Sequence, residues 1–168
     1  IKASPKKVAA VREVKVPTSR SEVRSMLAFF GYYRRFVKDF AAVALPLTEL
    51  TKEATAWKWS PDCQEAFEKL RDALAADPVL APPRPDLPFV LFTDASDGAW
   101  GAVLEQEHED GKFRVIEYAS RKLDPVQRRY STTEKEALAI AWSVAHFHTY
   151  LYGRLCSGHG PQRVEILV

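Results

Sequence analysis

Phe89-Val90-Leu91-Phe92-Thr93-Asp94-Ala95-Ser96-Asp97-Gly98-Ala99-Trp100-Gly101-Ala102-Val103-Leu104 is the stretch that decides the fold. Residues 89–93 form a short, mostly apolar run, as a buried strand requires. Residues 99–104 read as a second strand. Asp110-Gly111 is a hairpin signal before a third strand, Phe113 to Tyr118. Ser131 or Thr132 then caps a long helix from about Thr133 to Tyr150. Its inward face is expected to carry Ala137, Ile140, Ala141, Val144 and Phe147. Three antiparallel strands followed by a helix open an α/β domain over residues 89–154.

Upstream the period changes. Ser19 and Glu22 fit a capping box, and Val23, Met26, Leu27 and Phe30 repeat at three and four residues. Beyond Gly31, residues Tyr32 to Phe36 are expected to continue this helix with aromatic and basic side chains. A short helix is predicted over Leu47 to Lys52, and Trp57-Lys58-Trp59 reads as extended. Ser60-Pro61-Asp62 combines a cap, a proline in the first turn and an acid at the positive dipole end. Ala66, Phe67, Leu70, Ala73 and Leu74 follow at helical spacing. Pro82-Pro83-Arg84-Pro85-Asp86-Leu87-Pro88 can be neither helix interior nor central strand, because proline lacks a donor and fixes φ. The expected organisation is therefore α+β: a small helical unit at residues 1–81, a Pro-rich linker at 82–88, and the α/β unit after it.

The 168 residues are 46% hydrophobic, enough to bury a core, and no apolar run of membrane-spanning length occurs. The only Met is Met26, which suggests a piece of a longer chain. Cys63 and Cys156 stand far apart without a CxxC or a His pair. Two reduced thiols in an intracellular protein are expected, not zinc or a disulfide. Net charge is +2, but Lys2, Lys6, Lys7, Arg12, Lys15, Arg20 and Arg24 make the start basic. Arg34, Arg35 and Lys38 follow. Such a cluster either contacts phosphates or forms a solvated helical face.

Two carboxylates carry the candidate chemistry. Asp94 ends the first strand beside small residues, and Glu136 lies in the first turn of the long helix. Each has an ordinary structural use, as a turn cap and as a charge at a helix N-terminus. Together they offer oxygen ligands from a strand end and a helix start to one divalent cation. Magnesium requires such ligands, and two-metal phosphodiester hydrolysis needs several carboxylates in a group.

The ordered motifs resemble the pol polyprotein of gypsy-type LTR retrotransposons over essentially residues 1–154. Ser25-Met26-Leu27-Ala28-Phe29-Phe30-Gly31-Tyr32-Tyr33-Arg34-Arg35-Phe36-Val37 is similar to the reverse transcriptase thumb. Ala44-Leu45-Pro46-Leu47-Thr48-Glu49-Leu50, Trp57-Lys58-Trp59 and Glu65 to Leu70 are similar to the connecting region. Phe92-Thr93-Asp94-Ala95-Ser96, Gly101-Ala102-Val103-Leu104, Tyr118 to Leu123 and Tyr130 to Glu136 resemble a ribonuclease H domain. The resemblance implies RNA-directed DNA synthesis by the parent polyprotein and cleavage of RNA in RNA–DNA hybrids by magnesium, or manganese, on four acidic residues. Two of these map here, to Asp94 and Glu136, with Glu134 the weaker match. Implied partners are the hybrid, the polymerase palm and fingers, and the integrase. A cytoplasmic particle or the nucleus is the implied location, with no membrane.

The tail departs from the family. After Arg154 a fourth strand ending in Thr-Asp-His is expected. Residues 155–168 read otherwise, without strand-like alternation and without any Asp beyond Asp124. Codons chosen for Gly158 to Leu167 and read one nucleotide later give Ala-Thr-Asp-His-Asn-Ala-Leu-Lys-Tyr-Leu, which contains the missing motif. The tail is therefore expected to be out of frame, leaving a truncated sheet, weak metal binding and no nuclease activity in this copy. The alternative is a nucleic-acid-binding or scaffolding remnant without chemistry. A sugar-kinase or actin-like ATPase would need a better phosphate loop than Asp94 to Gly98.

Overall fold

The computed structural model describes residues 5–76, 79–151 and 164–167. Its helical part runs α1 (Pro5–Arg12), α2 (Arg20–Gly31), a 3-10 turn at Arg34–Phe36, α3 (Phe40–Val43), α4 (Leu45–Leu50) and α5 (Pro61–Ala75). Strands β1 (Phe89–Ala95), β2 (Ala99–Glu107) and β3 (Phe113–Lys122) follow. Then come a 3-10 turn at Gln127–Arg129, α6 (Thr132–His146), α7 (His148–Leu151) and β4 (Val164–Leu167).

Local chemistry sets the helix starts. The Ser19 hydroxyl accepts from the Glu22 N–H, but the Glu22 carboxylate reaches one residue further back, to Thr18 N–H and hydroxyl at 2.7 and 3.0 Å. The helix closes at Gly31, so Tyr32 to Phe36 form a turn and a 3-10 segment instead of the expected continuation. Ser60 accepts from Cys63 N–H at the head of α5, with Pro61 in the first turn. Trp57 to Trp59 lie between α4 and α5, outside any helix or strand. The sequence pair Asp77-Pro78 reads as the stop of α5 but lies outside the described residues. Ser131 and Glu134 form a complete capping box on α6, which accounts for Glu134 without any further role.

The sheet has the order β3-β2-β1-β4. β1 and β3 run antiparallel to β2, and β4 lies parallel to β1, with Phe89 opposite Val164 and Phe92 opposite Leu167. This corrects two expectations: the sheet is mixed and four-stranded, and the tail does contain a strand. Val164-Glu165-Ile166-Leu167 is β-branched and apolar enough to pair once β1 offers its free edge. The hairpin turn holds Gly111 at φ +70°, where a side chain would be strained.

The two faces of the sheet are covered by different elements. Phe89 and Leu91 pack with Phe147, Trp142 and Val144, while Ala95 packs with Ala139 and Trp100, so odd residues of β1 face α6. The other face meets the helical part, where Val115 and Tyr118 join the cluster of Phe30, Phe67, Leu47 and Leu70. The expected inner face of α6 is corrected in part, since Val144 and Phe147 pack inward as expected. Lys135, Ala139 and Ser143 are buried, with Phe147 just past the helix, whereas Ala137 and Ala141 are exposed. The stripe runs at spacing four through small residues that allow close approach to the sheet. Ser143 satisfies its hydroxyl on Ala139 O at 2.6 Å.

The Pro-rich segment is irregular but not free. Fully buried Gln106 accepts from Arg84 N–H and donates to Arg84 O and Leu87 O, at 2.8, 2.9 and 2.8 Å. One side chain thus supplies partners to backbone groups that no ladder reaches.

Candidate active site and nucleic-acid interface

Asp94 lies within β1, exposed, opposite Gly101 of β2. Strand alternation turns it to the face away from α6, the face covered by residues 34–50. There its charged neighbour is Asp39, which sits just ahead of α3 in the left-handed conformation, φ 52°. The Asp39 carboxylate lies over Gly101 so closely that a Cβ there would collide with its Oδ1. Burial pushes the Asp39 carboxyl up; Lys38 pulls it down, and the charge of Asp94 adds to the rise.

Glu136 is half-buried and is the fifth residue of α6, just past the first turn that holds Glu134; α6 packs on the opposite face of the sheet. Its neighbour Lys135 points inward, and the buried ammonium donates to Asp97 Oδ1 at 2.8 Å. That hydrogen bond holds the Asp97 carboxyl below its ordinary value. Asp94 is the last residue but one of β1, and Glu136 falls one turn into α6 instead of in its first turn. Among the described residues, however, no three His, Cys, Asp or Glu side chains gather closely enough to hold a metal ion.

The basic residues Arg34, Arg35 and Lys38 line the seam between the helical part and the sheet. Arg34 donates to Ser120 O, and Ala41 N–H donates to Ser120 Oγ at 2.9 Å, so Ser120 receives both. Arg35 lies 3.5 Å from Glu117 Oε2. Burial raises the Glu117 carboxyl, but His146, Tyr150 and Arg35 together outweigh it and leave the carboxyl below its ordinary value. Lys38 is exposed and lies near Asp39 and Glu105, drawing both carboxyls down against the effect of burial.

Sequence reasoning missed Asp39, Asp97, Lys135 and Glu117. For Lys135 the signal was available, since it begins the spacing-four stripe with Ala139 and Ser143. Asp39 and Glu117 acquire their neighbours only through long-range packing, which no local pattern reports.

Among the described residues no helix is long and apolar enough to cross a membrane. The family described as "RNase H-like domain found in reverse transcriptase" matches residues 59–157. A retrovirus-related Pol polyprotein from the Drosophila melanogaster transposon opus is 42% identical over 91% of this chain and 16% of its own length. That from transposon 297 is 40% identical over 97% of this chain and 15% of its own length. The Tf2-3 polyprotein of Schizosaccharomyces pombe is 38% identical over 84% of this chain and 11% of its own length. This chain thus spans a small part of the curated relatives it matches. Among solved structures, a foamy viral protease-reverse transcriptase in complex with double-stranded DNA aligns at TM-score 0.73 and 21% identity. It covers 97% of this chain and 27% of that one. The same viral protein in complex with an RNA/DNA hybrid aligns at TM-score 0.72 and 21% identity, over 97% and 21%.

Proposed function

The chain belongs to the RNase H-like domain family of reverse transcriptases, within the retrovirus-related Pol polyproteins of transposons, and from that premise we propose that its 168 residues bind nucleic acid without cutting it. The parent polyprotein carries out reverse transcription and removes RNA from RNA–DNA hybrids. The bound substrate is the hybrid, in a cytoplasmic particle or the nucleus, alongside the palm, fingers and integrase of the same polyprotein.

The observation that supports the non-cleaving reading is that no three His, Cys, Asp or Glu side chains gather among the described residues. Magnesium, or manganese in its place, needs several oxygens in near-octahedral array. Asp94 faces residues 34–50 and Glu136 belongs to the helix on the other face, and the described residues provide no third ligand. These residues do not fit the metal. The third family carboxylate maps to residues 152–163 or beyond, outside the described residues apart from Val164–Leu167, and the sequence has no Asp after Asp124.

Binding is supported by the basic seam and by the viral relatives of this fold that hold double-stranded DNA and an RNA/DNA hybrid. Fluorescence anisotropy with a labelled hybrid tests it. Affinity is expected to fall steeply and linearly in log–log form as salt rises, since each phosphate contact releases counterions. No binding at low salt overturns the proposal.

A further inference from the structure

We propose that the outer edge of β3, beside the Arg34–Phe36 turn, carries a pocket for one unpaired nucleotide of a nucleic-acid strand, an assignment that rests on the nucleic-acid reading above. A cavity of about 380 Å³ opens there between the Arg34–Phe36 turn and α6. Ligand pockets start at roughly 300 Å³, so it admits a nucleotide but not a duplex. Arg34, Arg35 and Arg121 line it, with Glu117, Trp142 and His146. β2 separates β3 from β1, so the pocket is distinct from Asp94.

Its charge favours an anion. Glu117 is held ionised by Arg35, Tyr150 and His146, and it offsets one of the three guanidinium groups. The hydrogen-bond partner of Arg34 is a neutral carbonyl, Ser120 O, which does not offset its charge. Exposed Arg121 has no side-chain hydrogen bond or ion pair with any described residue, although it lies beside Trp100 in the ladder. Two uncompensated arginines on one rim suit the phosphates on either side of a nucleotide.

Its wall favours a base. The Trp142 and His146 rings lie 5.4 Å apart and 34° from parallel, one turn apart on α6. Trp142 is itself backed by Trp100 at 6.1 Å, which fixes its plane. An aromatic platform beside a basic rim binds single strands with little regard for sequence, because every base has a π-face. A phosphorylated peptide would use the arginines but leave this platform without a partner.

Ultraviolet crosslinking tests the assignment, using the 168-residue chain and a short oligothymidylate containing 5-bromouracil. The crosslink is expected on Trp142 or His146 by peptide mass. Arg121→Glu, at an exposed position, is expected to abolish it and weaken strand binding about tenfold, the scale of one lost stacked base. Crosslinks confined to other residues, or unchanged binding by Arg121→Glu with an unchanged melting temperature, overturn the pocket while hybrid binding stands. Failure of both strand and hybrid to bind overturns the pocket together with the reading beneath it.

Discussion

Lys135 Nζ donates to Asp97 Oδ1 at 2.8 Å, tying the first turn of α6 to the bend between β1 and β2. The two ends of this bond differ: the lysine side chain is 8% exposed and the aspartate fully exposed. Removing the aspartate therefore leaves a buried ammonium without its partner, the costlier half of such a deletion.

Asp97→Asn is expected to lower the melting temperature at pH 6. The Asp97 carboxyl is held below its ordinary 3.8, so its stabilisation is present above that value and is lost as pH falls through the lower folded value. The difference between the two proteins should shrink in melts taken from pH 5 down to pH 3. A difference that stays constant over that range contradicts the pairing.

Glu49 plays the corresponding role for the helical part. It accepts from Lys122 of β3 at 2.7 Å, pairs with Lys52, and lies 3.4 Å from Arg128. The Lys122 and Lys52 hydrogen bonds bring its carboxyl from 4.5 down to about 2. Glu49→Gln is expected to cost about 1 kcal/mol at pH 7, a value already reduced for solvent screening. The loss should disappear as acid titrates the native protein from pH 4.5 towards pH 2, read by urea unfolding at each pH.

Gly101 has no room for a side chain because the Asp39 carboxylate lies over it. Gly101→Ala is expected to destabilise by about 1–3 kcal/mol, the range for overpacking. Asp39→Gly suits the left-handed backbone at φ 52° and clears the space, so it should restore the melting temperature of Gly101→Ala. No rescue in the double variant contradicts this account of the glycine.

Much of the fold was legible where local chemistry decides it. The Ser60-Pro61-Asp62 start, the Ser131 cap, the Gly111 turn and the apolar run of β1 all formed where their residue types require. For the candidate pair, the sequence located Asp94 near the end of β1 and Glu136 near the start of α6. The face each carboxylate presents was not legible, because it depends on which side of the sheet α6 and residues 34–50 come to cover. The α6 stripe misled for a related reason: alanine is indifferent to burial, so Ala137 and Ala141 looked inward while Lys135 looked outward. β4 was missed because Val164–Leu167 becomes a strand only through its parallel pairing with β1.

The tail makes a prediction that needs no protein. If Gly158 to Leu167 are read out of frame, the encoding locus will carry codons that give Ala-Thr-Asp-His when read one nucleotide later. Codons incompatible with that reading contradict the frameshift. The β4 pairing is indifferent to the outcome, since an apolar β-branched run can join an open edge whatever its origin.

Cleavage of a radiolabelled RNA–DNA hybrid by the 168-residue chain, in magnesium and then in manganese, tests the central claim most directly. The lack of a three-ligand group among the described residues predicts a bound but intact RNA strand in both. Metal-dependent cleavage that Asp94→Asn abolishes would contradict it, and would mean that Asp94 and Glu136 do share an ion.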